Sequence, residues 1–310
     1  MPEGKDNVRV LLFDPYKSSR ENARRILTQE GYSNTYDTDS FEKVADLLGK
    51  NDVDMMVASV DRDAKDYWSL MRGLRHARGA RNRFIVSLVL LMDPSEQKIR
   101  AMVDAGVDSV QTKPLVVDEL KKRLAFFRKT RQPFVVTRDY VGPDRRGEPR
   151  PEGQQVPLIP APNPVQLMAE GKTTREGFRE LATRASTLID NQSALRNGYQ
   201  LVWLADHVHN AILKDDLSDK TLGYLDQIVK VAAQMPARLQ GTPYAPAVEL
   251  CKQVYRLARE LQADPDNPSS KNLELLPELT RAIDRYFGEP SSDLGTTKAI
   301  QETINQYMRP

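Results

Sequence analysis

The sequence predicts a doubly wound α/β domain, a five-stranded parallel sheet with helices on both faces, followed by an all-α helical bundle. Three observations carry this. Residues 8–130 alternate short apolar runs with amphipathic stretches, the pattern of repeated strand–helix units. Eight of the twenty prolines then fall between Pro133 and Pro164. From residue 174 onward, apolar residues recur at helical spacing.

Taken in order, Val8–Phe13 reads as a buried strand ending at Asp14-Pro15. Ala23, Ile26 and Leu27 share one face of a helix over Ser19–Glu30, and Gly31 stops it. Ser33–Thr38 reads as a short second strand, Ser40–Leu48 as a helix closed by Gly49, and Val53–Val60 as a third strand. Trp68, Met71 and Leu74 are spaced to face a sheet from a helix over Tyr67–Arg75. Phe84–Met92 is apolar on both faces, as a central parallel strand requires. Ser95–Ala105 is a helix stopped by Gly106, Val107–Thr112 a fifth strand running into Lys113-Pro114, and Val117–Arg128 a fifth helix.

Three segments follow: an α/β domain over 1–130, a proline-rich extended linker over 131–173, and a helical bundle over 174–310. Proline neither donates to a ladder nor sits comfortably inside a helix, so the middle segment is expected to be extended. Its apolar knots, Phe134–Val136 with Tyr140 and Val156 with Leu158-Ile159, are expected to pack along the domains. In the bundle, stripes such as Phe178, Leu181, Ala185, Leu188 and Leu201, Leu204, Val208, Ile212 mark helices, the last stripe being Ile300, Ile304 and Tyr307. Breaks are expected at Pro236, Gly241–Pro243, Asp264–Pro268 and Gly288–Pro290.

Composition excludes several classes. Hydrophobic content of 40% and charged content of 28% are ordinary for a soluble globular protein. A net charge of +2 is too small to imply nucleic acid by itself, and a nucleic-acid partner is not expected. The single cysteine, Cys251, permits no internal disulfide and reads as a buried helix residue. The longest apolar stretch, Phe84–Met92, is too short to span a bilayer, and the polar N-terminal residues do not read as a signal peptide. No membrane insertion is therefore expected, and the expected location is the cytoplasm.

Three stretches carry a family resemblance. They are Val8–Asp14, the acidic-ended first strand; Leu70-Met71-Arg72-Gly73-Leu74-Arg75; and Ala105-Gly106-Val107-Asp108-Ser109-Val110-Gln111-Thr112-Lys113-Pro114. Over residues 7–128 the chain resembles the response-regulator receiver family, whose last stretch reads "AGADDYLTKP". The run Pro133-Phe134-Val135-Val136 with Tyr140, Gly142-Pro143-Asp144-Arg145-Arg146 looks like the "PFV…Y.GPDRR" extension found after some alphaproteobacterial receivers. The C-terminal bundle resembles no family identified from its residues.

The resemblance implies a phosphoryl-accepting aspartate ending the third strand, a carboxylate cluster holding Mg²⁺, a lysine pairing with the acyl phosphate, and a hydroxyl and an aromatic residue that follow the phosphate. This sequence departs from that set. Asp14 keeps one acid, but Pro15 stands at the second. Ser59 replaces the acceptor, no hydroxyl lies within Leu90–Met92, and Val110 replaces the aromatic. Asp14 and Lys113 remain, and a structural ion pair between them is the expected role of the lysine. Pro114 is expected to be cis by family analogy. A serine cannot form an acyl phosphate, and no base beside Ser59 would activate its hydroxyl. Asp14, Ser59 and Lys113 are thus read as a vestigial phosphoacceptor pocket, with no catalytic residue and no cofactor. The alternative acceptor is Asp61, two residues on; it would lengthen the reach to Lys113 by about 6–7 Å, and Mg²⁺ is implied only in that case.

Other candidates are weaker. His207 and His209 flank Val208 in a helix and point about 200° apart, so they cannot share a metal; nor does the Lys-Gly of a phosphotransfer motif follow them. Arg72, Arg75, Arg78, Arg81 and Arg83 with His76 form a basic run, expected to be a solvated helix end and loop; Arg145, Arg146 and Arg150 form a smaller group. The expected function is that of a signal-transduction adaptor or scaffold working by protein–protein contacts in a two-component or phosphorelay system. A histidine kinase or another regulator is the expected partner, and homo-oligomerisation stays open. The alternatives are a regulator phosphorylated on Asp61 and a helical phosphotransfer or nucleic-acid-binding output.

Overall fold

A computed structural model describes residues 4–60, 64–77, 83–146, 156–240 and 242–288. The chain divides into two compact units, the first reaching Ser186 and the second starting at Thr187.

The first unit holds the expected parallel sheet. Strands β1 (Val10–Phe13), β2 (Thr35–Thr38), β3 (Met55–Ser59), β4 (Val86–Leu91) and β5 (Ser109–Thr112) lie in the order β2-β1-β3-β4-β5. Helices α1 (Lys17–Gln29), α2 (Glu42–Lys50), α3 (Ala64–His76), α4 (Glu96–Asp104) and α5 (Val117–Lys129) alternate with them. Every residue of β1, β3 and β4 is buried, whereas the edge strand β2 buries only Thr38. This is why β2 carries the sequence Thr-Tyr-Asp-Thr while the inner strands are apolar but for Ser59 and Ser87. Side chains alternate between the faces: Leu11, Phe13, Met56 and Ala58 join a core with Val44 and Leu48 of α2 and Tyr67 and Met71 of α3. The strand order reverses between β1 and β3, and crevices in such sheets open at the C-terminal ends of the strands there. Asp14, Ser59 and Lys113 all stand at that end.

The proline-rich segment is not an extended linker. It forms a three-stranded antiparallel sheet, β7-β6-β8, from β6 (Phe134–Val136), β7 (Val141–Pro143) and β8 (Leu158–Ile159), followed by α6 (Pro164–Ala169). The prolines permit this because they sit at ends. Pro143 closes β7 and Pro164 opens α6, positions where a missing amide leaves little unpaired. The Asn163 side chain caps α6 by accepting from the Gln166 amide at 3.3 Å. Helix α7 (Arg175–Ile212) begins within this unit.

The second unit is helical, as expected: the C-terminal part of α7 with α8 (Asp219–Leu239), α9 (Val248–Ala263) and α10 (Ser270–Gly288). Leu201, Leu204, Val208, Leu225, Ile228, Met235, Val254, Leu276 and Ile283 are among its buried core, and Cys251 is buried with them. The stripes at 178–189 and 201–212 share one 38-residue helix, and one expectation is corrected. Pro236 does not break α8 but lies in its last turn, where its missing amide removes one bond to the preceding turn while Met235 and Leu239 stay buried on the core side. The expected break at Pro290 and the stripe at Ile300, Ile304 and Tyr307 lie outside the described residues. Among the described residues no helix is long and apolar enough to cross a membrane.

Candidate functional site: a self-paired carboxylate pocket

The pocket forms where β1, β3 and β5 end. Phe13 pairs with Ala58 across β1 and β3, so Asp14 and Ser59 stand one step beyond the same rung. Leu91 pairs with Thr112, which brings Lys113 to this end, and the Lys113–Pro114 peptide is cis.

Asp14 is fully buried, and donors meet both of its oxygens. The Tyr16 amide donates to Oδ1 at 3.0 Å. The Ser19 hydroxyl and the Lys113 ammonium donate to Oδ2 at 2.6 and 2.8 Å. Lys113 is itself nearly buried, 8% exposed, and its Nζ lies 5.8 Å from the centre of the Tyr16 ring. Arg20 donates from Nη1 to the Asp14 carbonyl at 2.8 Å and from Nε to Asp37 at 3.2 Å. Ser59 is 1% exposed, and its Oγ makes no hydrogen bond among the described residues. Asp14 and Lys113 are thus brought into direct contact, and Ser59 lines the same end of the sheet without joining them.

Around this trio, Leu90 and Leu91 are buried and Met92 is exposed, so β4 presents no hydroxyl there. Val110 packs on the core. Asp61 lies outside the described residues. Among the described residues no three His, Cys, Asp or Glu side chains gather as metal ligands. The described groups of this pocket do not fit a receiver-type divalent cation, because its one carboxylate is occupied by protein donors. His207 and His209 diverge as the helical spacing requires: His207 Nδ1 lies 2.7 Å from the Trp203 carbonyl and His209 Nδ1 3.0 Å from the Leu273 carbonyl.

A second polar cluster escaped the sequence. Arg75 and Arg83, expected in a solvated run, are buried at 0% and 1% exposure; Arg78 and Arg81 lie outside the described residues. Arg75 donates to the carbonyls of Gly106 and Ile85 at 3.0 Å, to the Arg83 carbonyl, and to Asp108 Oδ2 at 2.9 Å. Arg131 reaches Asp108 Oδ1 at 3.4 Å and donates to the carbonyls of Phe84, Pro162 and Ile85. The Phe134 ring has both guanidinium carbons 5.2 Å from its centre. Arg83 donates to the carbonyls of Arg75 and Ser186 at 3.1 and 3.2 Å. Burial lowers the Arg75 pKa and brings that of Arg131 down to about 10, with Asp108 opposing both shifts. Of the smaller basic group, Arg145 donates to the Val107 carbonyl and Arg146 pairs with Asp144 at 2.7 Å; Arg150 lies outside the described residues. The only signal available in the sequence was the Asp108 that shares a segment with Lys113-Pro114.

The sheet order and the alternation of strands and helices are those of a receiver-like α/β unit. No family model matches the chain. Response regulator MprA of Mycobacterium sp. (strain KMS) is 33% identical over 124 residues, covering 40% of this chain and 52% of that protein. MprA of Mycobacterium tuberculosis (strain ATCC 25177 / H37Ra) is 29% identical over 126 residues, 40% of this chain and 53% of its own length. Sensory/regulatory protein RpfC of Xanthomonas campestris pv. campestris is 24% identical over 119 residues, 38% of this chain and 16% of RpfC. A solved structure from Burkholderia pseudomallei, described as pilus assembly-related, superposes with a TM-score of 0.35 at 16% identity over 39% of this chain and 89% of its own. The chain spans about half the length of the MprA proteins it matches. These matches, with the sheet order, support a receiver domain in the N-terminal part of the chain.

Proposed function

We propose that the chain is a non-enzymatic signal-transduction adaptor of the two-component type, acting in the cytoplasm through protein contacts and not through phosphorylation of an aspartate at the usual position. The partner class is a histidine kinase or another regulator, in keeping with the response-regulator and sensory-protein relatives. One observation carries the reading: Lys113, the residue that would pair with an acyl phosphate, is bonded to Asp14 at 2.8 Å, while a buried serine occupies the acceptor position. A serine ester would need its hydroxyl deprotonated, and among the described residues no base lies within hydrogen-bond reach of Ser59 Oγ. The pocket geometry supports a domain retained for its surface. The test is transfer from radiolabelled acetyl phosphate to the purified full chain. No stable label is expected. Acid-stable label lost in Ser59→Ala, or acyl-phosphate label lost in Asp61→Asn and kept in Ser59→Ala, would overturn the adaptor reading.

A further inference from the structure

We infer that the Lys113 ammonium and the Ser19 hydroxyl hold the place a divalent cation would need in this pocket, which makes it a cation-independent, internally neutralised site. The inference rests on the same Lys113–Asp14 contact as the adaptor reading. The phosphate test reads covalent transfer and the tests below read cation occupancy and charge coupling, so either can fail alone.

Charge balance comes first. Among the described pocket residues Asp14 is the single carboxylate, and Lys113 is salt-bridged to it at 2.8 Å, so the pair sums to zero. A divalent ion entering this pair would meet one negative charge and one positive charge, both screened weakly because the groups are nearly dry. Pro15 supplies no second acid, and Ser59 supplies a neutral hydroxyl where a receiver has its acceptor carboxylate.

Coordination gives the same answer independently. Mg²⁺ demands near-octahedral oxygens at about 2.1 Å and keeps several of its waters. Asp14 has no exposed surface, Oδ1 is taken by the Tyr16 amide, and Oδ2 is taken twice, by Ser19 at 2.6 Å and by Lys113 at 2.8 Å. A hydrated ion could reach Oδ2 only by displacing the ammonium and the hydroxyl together, and Oδ1 offers it no exposed surface. The Tyr16 ring beside Lys113 further holds the ammonium in place.

Two measurements on the full chain test this. In the first, Mn²⁺ is titrated while the backbone amides of Phe13, Tyr16, Ser59 and Lys113 are followed by NMR, and the thermal midpoint is read with Mg²⁺ up to about 20 mM, well above the range of weak oxygen-ligand sites. No saturable broadening at these amides and no shift in midpoint are expected. Saturable broadening centred on them would overturn the inference, and it needs no variant to be read. In the second, Asp14→Asn, Lys113→Met and the double variant are compared by denaturant unfolding. Each single change is expected to raise the unfolding equilibrium constant about 100-fold or more, because it strands one buried charge, and the double variant to fall well short of the product of the two. Additive effects in the double variant would show that Lys113 is not the counter-ion of Asp14.

Discussion

Arg75 Nη2 and Asp108 Oδ2 meet at 2.9 Å inside the first unit, joining the end of α3 to the residue just ahead of β5. The other Asp108 oxygen faces Arg131, and Ser87 donates to Oδ2 from its amide at 2.9 Å and its hydroxyl at 3.2 Å. One carboxylate is therefore shared by two buried guanidiniums, and the extension after α5 enters the domain through Arg131 and Phe134. The three-stranded sheet is part of the domain's packing at the N-terminal ends of β4 and β5, away from the Asp14 pocket.

Asp108→Asn keeps the shape of this network but leaves two guanidiniums buried beside a neutral amide. Breaking a buried ion pair by removing one partner costs about 3–5 kcal/mol. Urea unfolding should show a loss of that order, and a loss below about 1 kcal/mol would mean the guanidiniums are satisfied by carbonyls alone.

Gly106 links the same regions by a close approach. Its φ of +80° suits glycine, and an added Cβ would lie 2.8 Å from the Val141 carbonyl oxygen of β7. Gly106→Ala should destabilise by about 1–3 kcal/mol, since neither the backbone angle nor the backbone oxygen yields cheaply. Gly49, in α2, has nothing within 4 Å of the same added atom, so Gly49→Ala should instead stabilise by about 0.5–1 kcal/mol. Equal changes in the two variants would remove the steric explanation.

Asp54 precedes β3 and accepts from Arg175 at 2.6 Å and from the Arg9 amide at 2.8 Å, yet burial pushes its pKa up to about 6. Between the unfolded value of 3.8 and about 6, the folded protein holds a proton that the unfolded chain has released. Its contribution is therefore present below the lower value and lost as pH rises through the upper one. Within the window stability should fall by up to about 1.4 kcal/mol per pH unit from this group. The slope of unfolding free energy against pH, compared with Asp54→Asn, checks it; identical slopes in both proteins would mean that Asp54 stays charged across the window, held by Arg175.

The candidate site was legible because it stands on local signals. An apolar strand ending in Ser59, the acid after β1 and the Lys113-Pro114 step each sit within a few residues of the pattern that identifies them. The ion pair between Asp14 and Lys113 could be anticipated for the same reason: parallel strands must deliver both to one end of the sheet. Arg75 and Arg83 were misread because charge alone predicts exposure for arginine. Their partners are carbonyls and a carboxylate 7 to 103 residues away, a separation no local pattern encodes.

By itself, the sequence determined the alternation of strands and helices, the helical second unit, and the serine that ends the third strand, because hydrophobic period and residue chemistry are local properties. The tertiary structure decided that the proline-rich segment folds as a sheet, that Pro236 rides within α8, and that two arginines of a basic run are core residues. Each of those outcomes depends on which distant backbone groups a side chain meets once water is gone, and desolvation sets its terms only after the chain has closed.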